Sequence, residues 1–165
     1  MPVKKQLKLK SLLLHIAIGL ALAVALAFLA YLSYVLILQS SWKSDRLKLT
    51  AYFSDGYSKS CRLEQDGVWT SADDAVLDYY FNILTFPRSM AIGRGTVESS
   101  PEDILLYLPG TTVAFSPGKD GVSTHVQWEM DGKTVGYTLG GTMDYKHLQT
   151  YFNNRIAFAP SKAGA

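Results

Sequence analysis

The sequence predicts an α+β fold, in which a single N-terminal transmembrane helix precedes a small domain with an antiparallel sheet and two or three packing helices. Three observations predict this class. An uncharged apolar run extends from Leu12 to Leu38. Asp131-Gly132 separates two segments in which apolar and polar residues alternate, which is typical of a hairpin. Later segments repeat apolar residues at helical spacing.

The apolar run of residues 12–38 would form a helix about 40 Å long, against a hydrocarbon core of about 30 Å. A cleavable signal peptide is the alternative, because Ala23-Val24-Ala25 and Ala25-Leu26-Ala27 each resemble a small-residue cleavage site. Cleavage there would leave an exposed apolar N-terminus, and the run is about twice as long as a usual signal. We therefore expect an uncleaved signal-anchor helix that contacts the lipid bilayer.

Charge predicts the orientation of this helix. The basic tail of residues 1–11 carries four lysines, whereas three basic residues follow the run closely: Lys43, Arg46 and Lys48. The positive-inside rule then slightly favours a cytoplasmic tail. The stronger argument is the usual arrangement, in which a short basic tail stays inside and a long domain of mixed charge is exported. We expect a single-pass protein of the inner membrane with a periplasmic domain.

The exported part is mildly acidic. From Trp42 onward it has 12 Lys or Arg and 14 Asp or Glu, a net charge of 12 − 14 = −2. Nucleic-acid binding needs a clustered basic footprint, which this balance does not favour. We expect no nucleic-acid partner.

Residues 39–46 are predicted to be a polar linker, residues 47–158 the domain and residues 159–165 a flexible tail. Alternation of Leu47, Leu49, Ala51 and Phe53 predicts a half-buried strand. Asp66-Gly67 predicts a hairpin between SKSCRLEQ and GVWT. The segment TTVAFSP predicts a further antiparallel strand.

Three helices are predicted in the domain. Ser71 is expected to cap a helix with the apolar stripe Val76, Leu77, Tyr80, Phe81 and Leu84. Ser100-Pro101 predicts the start of a short helix over EDILLYL. Asp144 is expected to cap a C-terminal helix whose shared face carries Tyr145, Leu148, Phe152 and Ile156.

The hairpin at Asp131-Gly132 predicts a docking surface. A two-residue loop pairs Trp128 with Val135 and Val126 with Tyr137, which makes one face apolar. The opposite face is polar and is expected to be exposed, with His125 paired to Thr138. The candidate protein-binding residues on this face are His125, Gln127, Glu129, Thr134 and Thr138.

The transmembrane run offers a second candidate surface. Gly19, Ala23 and Ala27 recur at four-residue spacing, and Ala17, Ala21 and Ala25 form a second row. Small residues at this spacing allow close helix–helix approach in membranes. An alternative function is therefore that of a membrane-embedded subunit that acts mainly through helix packing.

Catalysis is the least favoured alternative. Cys61 is the single cysteine, lies in no CxxC pattern and is expected to be a small buried residue; a Cys-dependent enzyme would pair it with His125 as base. Asp144 and His147 have ligand-like spacing, but the Asp is better explained as a helix cap. We expect no cofactor and no metal, so binding ranks above catalysis.

The layout of an apolar helix before an α+β head resembles that of type IV pilins. Lys10-Ser11-Leu12 offers neither their Gly-Phe-like processing site nor the Glu of their apolar run, so pilin assembly is not expected. The layout is also similar to that of single-span accessory subunits of bacterial envelope machines and of membrane-anchored immunity proteins. That resemblance, in architecture alone, implies an assembly factor or a toxin-neutralising protein.

Overall fold

The structure, a computed structural model, describes residues 3–57, 59–85, 90–140 and 144–158, with side chains from residue 12 to residue 157 of these ranges. The chain divides into two compact units, residues 1–37 and residues 38–165. The boundary falls within helix α1, Val3–Gly56. A long apolar N-terminal helix, an antiparallel sheet and two further helices confirm the predicted α+β class.

The first unit contains the membrane candidate. Among the described residues, one helix is long and apolar enough to cross a membrane, judged by length and composition. Its most apolar window has a mean hydropathy of 2.7 and none of that window is buried in the protein. The apolar side chains of this stretch are therefore free to contact lipid.

Within the described residues, the second unit is built on a seven-stranded antiparallel sheet. The strands are β1 (Cys61–Gln65), β2 (Val68–Ala72), β3 (Met90–Arg94), β4 (Ile104–Leu108), β5 (Thr111–Pro117), β6 (Thr124–Met130) and β7 (Lys133–Gly140). They lie in the order β2-β1-β4-β5-β6-β7-β3. Helix α2 (Asp74–Thr85) follows β2, and helix α3 (Tyr145–Phe158) follows β7.

One face of the sheet, the inner face, forms the core with the helices. The Trp42 ring of α1 lies 6.4 Å from the Trp128 ring, and Tyr80 of α2 lies 4.9 Å from Phe115. Phe152 of α3 is buried as well. Aromatic packing of this kind contributes beyond simple area burial, which ties the helices to the sheet.

The prediction of a strand over residues 47–53 is wrong, because this segment continues helix α1. Leu49 and Phe53 are buried, but Leu47 is 60% exposed. Leu49 and Phe53 are four residues apart, a spacing that fits a strand face and a helix face equally well. Trp42 is buried on the same helix face. Helix α1 therefore also includes residues 39–46, the segment predicted to be a linker.

The predicted helix EDILLYL is also wrong, because strand β4 occupies this segment. The Ser100-Pro101 signal forms a turn, in which the Asp103 amide donates to the Ser100 carbonyl at 3.0 Å. Leu106 and its alternating neighbours Ile104 and Leu108 are buried. Strand β4 pairs on both sides, with β1 and with β5, and these two ladders outweigh the weak local helix signal.

Both Asp-Gly hairpins are confirmed. Asp131 and Gly132 have φ of 53° and 70°, as a type I′ turn requires, and the predicted register of β6 and β7 is the observed one. Strand β5 and the capping of α3 are confirmed too, since the Lys146 amide donates to Asp144 Oδ1 at 2.9 Å.

Two further details differ from expectation. Ser71 lies in β2, and helix α2 is capped by Asp73, whose Oδ1 accepts from the Val76 amide at 3.0 Å. Strand β3 was not predicted. Its register shifts between Ala91 and Gly93, so the alternation that would reveal a strand is interrupted.

Candidate protein-binding surface

The opposite, outer face of the sheet is partly covered by the connection from β3 to β4. The part of this connection over residues 95–100 is here called the strap. Its Gly95 amide donates to the Gly136 carbonyl of β7 at 3.0 Å. Gln127 of β6 pairs with Val97 through two hydrogen bonds of 3.0 and 3.2 Å. The strap therefore crosses β7 and β6 and is held at both.

Gly136 makes this crossing possible. A Cβ atom at this position would collide with the backbone carbonyl of Gly95. The close approach of two backbones is a common reason for a glycine inside a strand.

His125 lies beneath the strap, so the expectation that it is exposed is wrong: the residue is 4% exposed. Its Nδ1 lies 3.1 Å from Thr138 Oγ1, and its Nε2 has no hydrogen-bond partner among the described residues. Burial lowers the pKa of His125, and the carboxylate of Asp103 partly opposes this effect. The imidazole is therefore held in a form that resists protonation.

His125 belongs to a row of polar side chains that crosses the outer face. Ser116 of β5 is its register partner, and Asp103 precedes β4 beside Ser116. Both are buried, and Ser116 Oγ and Asp103 Oδ1 lack partners among the described residues. Burying a polar group without a hydrogen-bond partner costs free energy, so this row lowers the stability of the domain.

The five residues predicted as a docking surface are thus divided. His125 is buried, and Gln127 and Thr138 are half-buried and hydrogen-bonded. Glu129 and Thr134 remain exposed at the hairpin end. Only these last two are accessible to a partner as the sequence predicted.

The other half of the outer face is open. This open face consists of Arg62 and Glu64 of β1, Trp69 of β2, and Leu105 and Tyr107 of β4. Trp69 is 58% exposed. Arg62 forms an ion pair of 2.9 Å with Glu64, and its guanidinium lies 4.2 Å from the centre of the Tyr107 ring.

Sequence reasoning did not single out this surface. Alternation along CRLEQ and VWTSA does place Trp69 opposite Glu64 on the face away from Cys61 and Leu63. A Trp on a polar hairpin face was the available signal, because Trp is enriched at interfaces.

The two edges of the sheet differ in their protection. Edge strand β3 carries a register shift and a terminal Arg94, which discourage pairing with another strand. Edge strand β2, Val68–Ala72, contains no charge, no proline and no register shift. By the usual criteria, β2 is the unprotected edge.

Cys61 and His125 are not brought together. Cys61 lies on the inner face of β1 and His125 on the outer face of β6, with β4 and β5 between these strands. Three strand spacings separate the two strands by about 14 Å. Burial raises the pKa of the Cys61 thiol, as expected for a small buried cysteine.

The remaining candidates are on helices. Asp144 caps α3, and its Oδ2 lies 4.0 Å from Nδ1 of His147, which is exposed. Gly19, Ala23 and Ala27 are exposed, and a Cβ at Gly19 would meet nothing within 4 Å. This row is therefore accessible along the apolar helix.

The chain matches no protein-family model, and neither a similar curated protein nor a similar solved structure was found.

Proposed function

We propose that this is a single-pass inner-membrane protein with a cytoplasmic N-terminus, whose domain of residues 38–165 binds a protein partner outside the cytoplasm. The binding site is the open face. The observation that carries this proposal is Trp69, a large aromatic side chain that is 58% exposed and lies on the same sheet face as Arg62 and Tyr107. Trp, Tyr and Arg are the residues that most often dominate binding energy at protein interfaces.

The geometry of the open face favours a protein over a small ligand. The face is formed by three neighbouring strands, in which Trp69 lies opposite Glu64 and Arg62 lies opposite Tyr107. Small-molecule sites are usually concave and enclosed, whereas protein interfaces are broader and flatter. As an anchored binding domain, the protein acts as an accessory or assembly factor of an envelope complex, or neutralises a toxin.

Site-specific photo-crosslinking tests the proposal in intact cells. A photoreactive amino acid at Tyr107 is expected to give a discrete adduct with one partner protein. The same amino acid at Thr150, an exposed residue of α3, serves as the control.

Trp69→Ala is expected to reduce the Tyr107 adduct by at least about tenfold, because loss of a hot-spot side chain costs about 2 kcal/mol or more. Equal adducts from Tyr107 and Thr150, or an adduct unaffected by Trp69→Ala, would contradict the assignment of the open face.

A second candidate function places the interaction in the membrane. The row Gly19, Ala23 and Ala27 is exposed and has the spacing of close helix contacts. Ala23→Phe would abolish assembly with a partner helix, whereas Leu32→Phe on the opposite side of the helix would not. Unchanged assembly of both variants, measured by crosslinking in the membrane, would remove this candidate.

A further inference from the structure

The edge strand β2 and helix α3 leave a cavity of about 520 Å³ beside the end of the sheet. It is open to solvent, and its apolar lining comes from Val68 of β2, from Pro101 and from Phe152, Ile156 and Ala157 of α3. Asp66 and Glu102 line it as well. The cavity thus combines an apolar surface with two acidic side chains.

The backbone of β2 offers hydrogen bonds at this place. In a two-residue hairpin, the residues that flank the loop, Gln65 and Val68, exchange both hydrogen bonds. Val68, Thr70 and Ala72 are then bonded to β1. Trp69 and Ser71 direct their amides and carbonyls away from β1, toward the open edge.

Acidic residues lie at both ends of this edge. Asp66 and Glu102 lie near Val68. At the other end Asp73 and Asp74 follow Ala72; the Asp73 carboxylate is paired with Arg155 of α3, so Asp74 carries the net negative charge there. A strand of basic character is therefore attracted along β2. A strand with acidic ends is repelled.

We propose that β2 accepts an extended segment of the partner protein as an eighth strand, with an apolar side chain in the cavity under Val68 and basic residues near the strand ends. The inference rests on the proposed protein-binding function and specifies how the partner is held. In this mode, backbone hydrogen bonds give affinity and side-chain pockets give specificity. The added strand lies next to Trp69, so it is continuous with the open face.

A second copy of the chain fits this edge less well. Antiparallel pairing of two β2 strands about Thr70 sets Val68 opposite Ala72, and the next residues bring Asp73 and Asp74 of one copy toward Asp66 of the other. Like charges directly opposite each other destabilise strand pairs. The occupant is therefore a different protein.

Binding of a synthetic peptide to the full-length protein in detergent micelles tests the proposal. The probe is a fluorescent peptide that alternates Thr with Val and has Lys at both ends, measured by fluorescence anisotropy. The same peptide with Glu in place of Lys, and one N-methylated at every second residue, are comparison probes. We expect the Lys peptide to bind at least about tenfold more tightly than either, because it keeps both the charge attraction and the backbone hydrogen bonds.

Two variants locate the site. Ala157→Trp fills the cavity, so a Val side chain of the peptide can no longer be buried there. We expect the affinity for the Lys peptide to fall by about tenfold or more. Asn154→Trp, on an exposed part of α3 that does not line the cavity, is the matched control. Ser71→Pro removes an outward amide from an edge position where proline is tolerated, and Ser71→Val keeps that amide.

Each outcome decides the proposal. Loss of binding in Ala157→Trp and Ser71→Pro, with retention in Asn154→Trp and Ser71→Val, supports strand addition. Equal binding in all four variants overturns it. If no peptide binds although Tyr107 still crosslinks to a partner, strand addition fails and the proposed function stands. Sedimentation measures the oligomeric state. If the unmodified protein is a dimer and Ser71→Pro is a monomer, a second copy occupies the edge and the proposal is overturned as well.

Discussion

The imidazole of His125 is held by Thr138 on one side and lies under the strap on the other. Burial lowers the pKa of His125 below its ordinary value, more strongly than Asp103 raises it. Such a residue links the stability of the outer face to pH.

Acidification is therefore expected to destabilise the domain through His125. Because the pKa is lower in the folded state than the unfolded value of about 6.5, the unfolded chain binds the proton more readily. The free energy of unfolding should fall as the pH drops below about 6.5, and His125→Gln should reduce this dependence. Thermal unfolding of the full-length protein between neutral and mildly acidic pH measures this dependence of stability on pH.

His147 provides the comparison variant for this experiment, because its side chain is 77% exposed. A loss of stability in acid that is smaller in His125→Gln than in His147→Gln assigns the effect to the buried imidazole. If His125→Gln and the unmodified protein lose stability in parallel, the burial of His125 has no consequence for folding.

At this scale, alternation predicts which face a side chain lies on but not what covers that face. The pairing of His125 with Thr138 followed from the two-residue loop, and it is observed. The cover over His125 comes from Gly95 and Val97, about thirty residues earlier in the chain. No local pattern carries that information, since the strap has neither periodicity nor a turn signal that indicates its destination.

At the scale of elements, the last part of α1 shows how two periodicities compete. Leu47, Leu49, Ala51 and Phe53 alternate as a strand would, yet the segment is helical and buries only Leu49 and Phe53 of this set. A helix separates Leu47 from Leu49 by about 200° around its axis, whereas a strand places them on one face.

Alanine substitutions distinguish these structures. Leu49→Ala is expected to destabilise the domain by about 2–5 kcal/mol, because it leaves a cavity in the core. Leu47→Ala should change the free energy of unfolding by less than about 0.5 kcal/mol, as for other exposed positions. Denaturant unfolding followed by Trp fluorescence measures both. Comparable losses in the two variants would favour the strand.

The accuracy of prediction differed between elements for a physical reason. Hairpins at Asp66-Gly67 and Asp131-Gly132 were predictable because the turn conformation depends on the residues in the loop. Strand β4 was not predictable, because its apolar residues fit a helix or a strand equally well. Its pairing with the neighbouring strands β1 and β5 determines that it is a strand. The open face was missed since it joins β1 and β2 to a strand that was predicted as a helix.

At the scale of the whole molecule, the balance of basic residues around the apolar run determines the expected orientation. Four lysines precede the run, and three basic residues follow it closely. This small difference slightly favours a cytoplasmic N-terminus under the positive-inside rule, which counts Lys and Arg near the ends of the span. The short basic tail before a long domain of mixed charge favours the same orientation.

Replacing Lys4, Lys5, Lys8 and Lys10 by Glu is therefore expected to retain a fraction of the domains in the cytoplasm. A C-terminal alkaline phosphatase fusion, active only outside the cytoplasm, measures the loss of export. Replacement of Lys43 and Lys48, which follow the run, by Glu is the control. It should preserve the phosphatase activity of the fusion. An inactive fusion to the unmodified protein would show that the orientation is reversed.

The order of the strands has a consequence for the time course of folding. Strands β4 to β7 pair with their neighbours in sequence, but β1 pairs with β4, and Met90 of β3 pairs with Gly140. Contacts between distant parts of a chain form late because the intervening loop must first close. The strap therefore covers the outer face only after β7 has been synthesised and has joined the sheet. A chain interrupted before Gly140 lacks the pairing of Met90 with the end of β7 and the whole of α3, so the domain is complete only when nearly all of it is present.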